Sequence, residues 1–185
     1  AYVEREPAEI ASGECGSNVN WTLSSDGILT LSGTGSMRTY SGESNIPWYS
    51  YRGMIAKVVV GEGVTKLTTS AFCGCSKLTT VEFAENSSLQ MIGGAAFKNC
   101  TSLESIELPE GLTTISGNAF KYCRNLKDVY LPDTISSIDN LAFTGLSDVV
   151  FSVASSSYAK EWVEAHGFAY VEREPAEIAS GECGS

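Results

Sequence analysis

Short runs of alternating apolar and polar residues recur along the middle of the chain. "LTTVEF" (78–83), "LESIEL" (103–108) and "LKDVYL" (126–131) put Val81 with Phe83, Ile106 with Leu108, and Val129 with Leu131 on one side. That period of two predicts half-buried β-strands. "IAKVVV" (55–60) precedes them and "LSDVVF" (146–151) follows. After each of the first four runs comes a turn and a second apolar stretch: "GVTKL", "SLQMI", "GLTTI" and "TISSI". Ala-Phe pairs fall at 71–72, 96–97, 119–120 and 142–143, in steps of 25, 23 and 23 residues. Each period reads as strand, turn, short strand and helical turn. One such unit cannot bury its apolar face alone, so the units must stack as coils of a solenoid.

A solenoid needs closed ends. On the N-terminal side, Asp26-Gly27 between "NVNWTL" and "ILTLSG" is a hairpin signal. "PWYSYRGMI" (47–55) reads as a degenerate coil, with Tyr49 in the place of Phe72 and Ile55 in that of Leu78. On the C-terminal side, Ser157 can cap a helix running to His166, with Gly167 as its left-handed stop. Ala159, Trp162 and Val163 share the helical face that should cover the last coil, and "FAYVE" reads as a closing strand.

The repeated pattern Leu-x-x-Val/Ile-x-Leu/Phe, then Val/Leu-Thr-x-Ile/Leu, then Ala-Phe-x-x-Cys-x-x-Leu resembles the leucine-rich repeat of BspA-like bacterial surface proteins, from about residue 55 to 151. The flanks are similar too: residues 12–37 and 47–60 resemble the β-rich module that precedes such repeats, and 155–172 their cap. The fold expected is mainly β with short helical turns: a leucine-rich-repeat solenoid of about five coils, an N-terminal β-hairpin module and a C-terminal helix-strand cap. The expected divisions are 1–10 (end of a preceding unit or linker), 11–54 (β-rich module and degenerate first coil), 55–151 (coils), 152–174 (cap) and 175–185 (start of a next unit). The resemblance implies an extracellular, cell-surface bacterial protein used for adhesion. It names no ligand.

Residues 1–17 and 169–185 are identical, "AYVEREPAEIASGECGS". Both copies fit the pattern in place, so the repetition reads as the register of a tandem array with a 168-residue period. The duplicated ends also allow head-to-tail self-association.

The net charge of −10 over 185 residues argues against nucleic acid and anionic membrane surfaces as partners. No apolar run is long enough to insert into a bilayer. Cys75, Cys100 and Cys123 share one coil position, which predicts an inward structural column rather than a metal or redox site, since zinc needs four converging ligands. Cys15 and Cys73 lie outside the column, either as free thiols or as a bridge. His166, the only histidine, fits a helix C-terminus better than catalysis. Gly33-Thr34-Gly35 lacks the third glycine and the βαβ setting of a dinucleotide site. The chain reads as no enzyme and as needing no cofactor or metal.

The strands offer one candidate binding face. Outward positions form two columns: Lys57, Thr80, Ser105, Asp128 and Asp148, and Val59, Glu82, Glu107, Tyr130 and Val150. The function expected is a non-enzymatic adhesion or protein-binding module directed at a host or bacterial surface protein. A structural stalk or filament-forming spacer is one alternative, and a glycan-binding module another.

Overall fold

The computed structural model describes residues 7–173. Alternation at 19–24 and 28–33 produces a hairpin that opens the fold. Strand β1 is Glu9–Glu14, β2 Val19–Ser24, β3 Ile28–Gly33 and β4 Gly35–Ser36. β1 and β3 both pair antiparallel with β2. Glu9 pairs with Ser24, and Ser25 donates to the Ala8 carbonyl at 2.8 Å. The module's ladder therefore begins by Glu9, within the 1–10 stretch expected to hold the end of a preceding unit or a linker. Gly27 turns the hairpin at φ 85°.

The coils follow. Their long strands are β5 (Lys57–Val60), β7 (Thr80–Phe83), β9 (Ser105–Glu107) and β11 (Asp128–Tyr130). Their short strands are β6 (Val64–Leu67), β8 (Met91–Ile92), β10 (Thr114–Ile115) and β12 (Ser137–Ile138). β13 (Val150–Ala154), helix α1 (Tyr158–Ala165) and β14 (Ala169–Arg173) close the chain. The short strands form one parallel sheet in the order β12-β10-β8-β6-β4. The long strands form two: β1-β2-β3-β5-β7, and β9-β11-β13-β14.

Between the long and short strands runs an aromatic column. Trp48, Phe72, Phe97, Phe120 and Phe143 are all buried, with successive centroids 5.8, 5.3, 5.2 and 5.1 Å apart. Such stacks contribute about 0.5–1.5 kcal/mol per pair beyond area burial. Trp48, not the expected Tyr49, holds the first coil's place. Its indole N–H donates to the Ala71 carbonyl at 2.7 Å, a buried partner that fixes the ring. Tyr49 lies half-buried beneath the Arg52 guanidinium, 3.8 Å from its centroid.

The helical turns repeat a backbone feature that apolar spacing does not reveal. The residue before each motif cysteine or its Leu146 equivalent has positive φ: Gly74 75°, Asn99 61°, Tyr122 61° and Gly145 82°. So does the residue before three of the Ala-Phe pairs: Ser70 59°, Ala95 55° and Asn118 60°.

The cap follows from its end signals. The Ser157 side chain accepts from the Lys160 amide at 3.2 Å. Past the helix, Gly167 has φ 70°, its N–H bonds the Glu164 carbonyl, and the Phe168 N–H bonds that of Val163. This pair of bonds is a Schellman stop. His166 places Nδ1 2.8 Å from the Trp162 carbonyl and stacks on the Trp162 ring, centroids 4.1 Å apart. β14 then pairs parallel with β13, while residues 175–185 lie outside the described part. Among the described residues no helix is long and apolar enough to cross a membrane.

Candidate binding face

The pleat turns alternate side chains of the long strands outward. Pairing aligns Lys57 with Thr80 and Val59 with Glu82 in one block. In the other, Ser105, Asp128, Val150 and Ala169 form one column, and Glu107, Tyr130, Ser152 and Val171 the second. Thr80, Glu82, Ser105, Glu107 and Asp128 are exposed, while Lys57, Val59, Tyr130 and Val150 are half-buried.

Asp148 is not part of this face. It sits in the bend before β13, and Val150 takes its place beside Asp128. Val149, buried like Leu126 one coil earlier, now enters the core ahead of the strand. The last long strand therefore starts two residues later than the spacing suggested. Ser152 joins the face for the same reason, and Val171 joins it because β14 extends the ladder. The alternation of "FAYVE" was the one available signal for Val171.

Tyr130 is tethered on this face. Its hydroxyl donates to Glu110 Oε1 at 2.6 Å, and the Arg173 guanidinium lies over its ring, 4.0 Å from the centroid. Arg173 also donates to the Tyr130 hydroxyl at 2.9 Å, to the Leu131 carbonyl at 2.8 Å and to Asp133 at 3.0 Å. Burial first, then the Glu110 hydrogen bond, push the phenol up to about 12. Lys57 and Glu82 form an ion pair of 2.6 Å, a surface contact worth at most about 1 kcal/mol.

The face is interrupted once. β7 and β9 are sequence neighbours in the stack, yet no ladder hydrogen bond joins them. A cleft of about 490 Å³ opens along the two strands. A smaller depression of about 220 Å³ shares Glu107 and Tyr130 with it and runs on toward Val150 and Val171.

The cysteine column lies inside. Cys75, Cys100 and Cys123 are free and buried. Cys100 Sγ donates to the Phe72 carbonyl at 3.2 Å and Cys123 Sγ to that of Phe97 at 3.0 Å. Burial pushes the Cys75 thiol up to about 12. Cys15 and Cys73 are free as well, and burial raises each to about 11. Among the described residues, no group of three or more His, Cys, Asp or Glu is placed to hold a metal ion.

A stacked solenoid with one strand ladder free and an aromatic spine within defines a repeat protein of the leucine-rich class. The family model for the BspA-type leucine-rich-repeat region matches residues 43–159 in six copies, and the chain belongs to that family. It is similar to a solved leucine-rich-repeat protein from Eubacterium ventriosum: 27% identity, TM-score 0.55, over 76% of this chain and 44% of that one. A leucine-rich-repeat protein from Bacteroides ovatus shares 27% identity at TM-score 0.56, over 66% and 31%. The T. pallidum leucine-rich-repeat protein shares the fold at 24% identity and TM-score 0.53, over 71% and 67%. The chain thus spans less than half the length of the first two. No curated protein matches it.

Proposed function

We propose that this chain is a non-enzymatic protein-binding module of a bacterial cell surface, and that it binds through the outward face of its long strands. The observation that carries this reading is the double column itself. Exposed polar side chains at Ser105, Glu107 and Asp128 stand beside half-buried Val150 and Tyr130 and exposed Val171 on one parallel ladder. Mixed columns of this kind suit a protein surface better than a sugar. The solved relatives are bacterial leucine-rich-repeat proteins, which supports the class of function.

The test uses the immobilised chain against a panel of purified serum and matrix proteins. Asp128→Lys should weaken a partner's binding about tenfold and leave the melting temperature unchanged, because the side chain is exposed. If nothing on the panel binds, or if face substitutions have no effect, the spacer reading takes over. One observation favours that second reading: residues 169–173, the first five of the second copy of a 17-residue exact duplication, form the last strand of the stack among the described residues. That is where a tandem array would continue.

A further inference from the structure

The break between β7 and β9 is local. Behind it the stack is intact: Phe72 N–H bonds the Ala96 carbonyl at 2.7 Å, the Phe72 and Phe97 rings stack, and β6 pairs with β8 and β8 with β10. Only the long-strand side opens. Two sequence features lie at the break. The step from Phe72 to Phe97 is 25 residues, two longer than the next two steps, and the extra residues enlarge the turn after β7. Pro109 stands where the previous coil has Ala84. Ala84 donates to the Val60 carbonyl at 3.0 Å, and proline has no N–H with which to do the same for Phe83. Pro132 holds the same place after β11, whose ladder with β9 still forms, so the two extra residues are what set this coil apart.

The opening changes what lies at the surface. Val81 and Phe83 are half-buried, whereas Val58, Val60, Ile106 and Leu108 in the same positions of adjoining coils are buried. The cleft therefore has an apolar floor and main-chain groups without ladder partners. Its rim carries Glu82, Glu85, Glu107 and Glu110, and among the described residues neither Lys nor Arg lines it. Lys57 answers Glu82 and the Tyr130 hydroxyl answers Glu110. Glu85 and Glu107 are exposed on opposite strands' sides of the opening.

The geometry points to this split as the docking site for an extended partner segment that alternates basic and apolar residues. Resting on the face reading above, it names the partner's chemistry. Apolar side chains of the segment would lie on Val81 and Phe83. Its lysine or arginine cations would meet Glu85 and Glu107 at the rim of the opening. Charge complementarity selects this occupant over an acidic or purely apolar one, because four carboxylates ring an apolar floor.

The probe is a fluorescent peptide of alternating lysine and valine, with a glutamate-valine peptide as its counterpart, followed by anisotropy. The basic peptide should bind and weaken with salt, and the acidic one should not bind. Glu85→Gln with Glu107→Gln should weaken binding about tenfold or more. Asp148→Asn with Glu161→Gln removes the same charge elsewhere and should change it less than about twofold. Equal weakening by both pairs means nonspecific attraction and overturns the assignment, as does absence of peptide binding. A Val150→Arg, Ser152→Arg variant separates the two readings. If a panel partner is lost with that variant but not with the Glu85 and Glu107 pair, the face stands and the cleft assignment falls. If neither variant affects the partner, both fall.

Discussion

Cys123 donates its thiol hydrogen to the main-chain carbonyl of Phe97, one coil earlier, at 3.0 Å. Cys100 does the same to Phe72. The cysteine at this position is thus a small apolar residue with a donor that reaches a carbonyl turned into the core. Cys100→Ala removes the donor, leaves a small cavity and should cost about 2 kcal/mol without changing the fold. Urea unfolding of the variant checks this, with an unchanged circular dichroism spectrum as the control.

Three other thiols give stability a pH dependence. Burial raises Cys75 from 9.0 to about 12, and Cys15 and Cys73 to about 11. Below the unfolded value the thiols are neutral in both states and their contribution is complete. As pH rises through the folded values, the unfolded chain has already released its protons, so stability falls. Denaturation midpoints should be level up to about pH 8.5 and drop above it, and Cys75→Ala should shallow the drop.

Ala95 sits at φ 55°, a conformation that costs a residue bearing a Cβ about 1 kcal/mol or more. Ala95→Gly relieves that strain at the cost of greater freedom in the unfolded chain. A net gain of about 0.5–1 kcal/mol is expected, read as a rise in melting temperature.

Gly27 shows the opposite case. Its φ is 85°, and a Cβ there would clash with the Met54 carbonyl oxygen. Its own carbonyl accepts from Ala56 and Lys57 at 2.9 and 3.2 Å, which seats the hairpin on the first coil. Gly27→Ala should lose about 3 kcal/mol or more. Hydrogen exchange should show the loss of protection beginning at β3 and β5.

Arg173 ties the closing strand to the coil two strands away through Tyr130, Leu131 and Asp133. A lysine keeps the charge but not the planar fork. Arg173→Lys should lower stability by about 1 kcal/mol. Tyr130→Ala should also destabilise the cap, so it is a poor probe of binding. Thermal melts of both variants test this.

Much of the architecture was legible because it is written in local spacing. Ala-Phe pairs at nearly constant steps place one aromatic per coil, and stacking follows, since no coil buries that ring alone. The Ser157 and Gly167 caps were equally readable, because their chemistry lies within a few residues. Other features depend on contacts that spacing does not encode. Trp48 displaced Tyr49 because a carbonyl 23 residues away, Ala71, suits an indole N–H. Val149 took a core place and carried Asp148 off the face. Arg173 reached across β13 to Tyr130. The split between β7 and β9 is the furthest from the sequence. Two extra residues are visible there, but whether a ladder absorbs them or opens depends on what the aromatic column and the short-strand sheet hold fixed behind it.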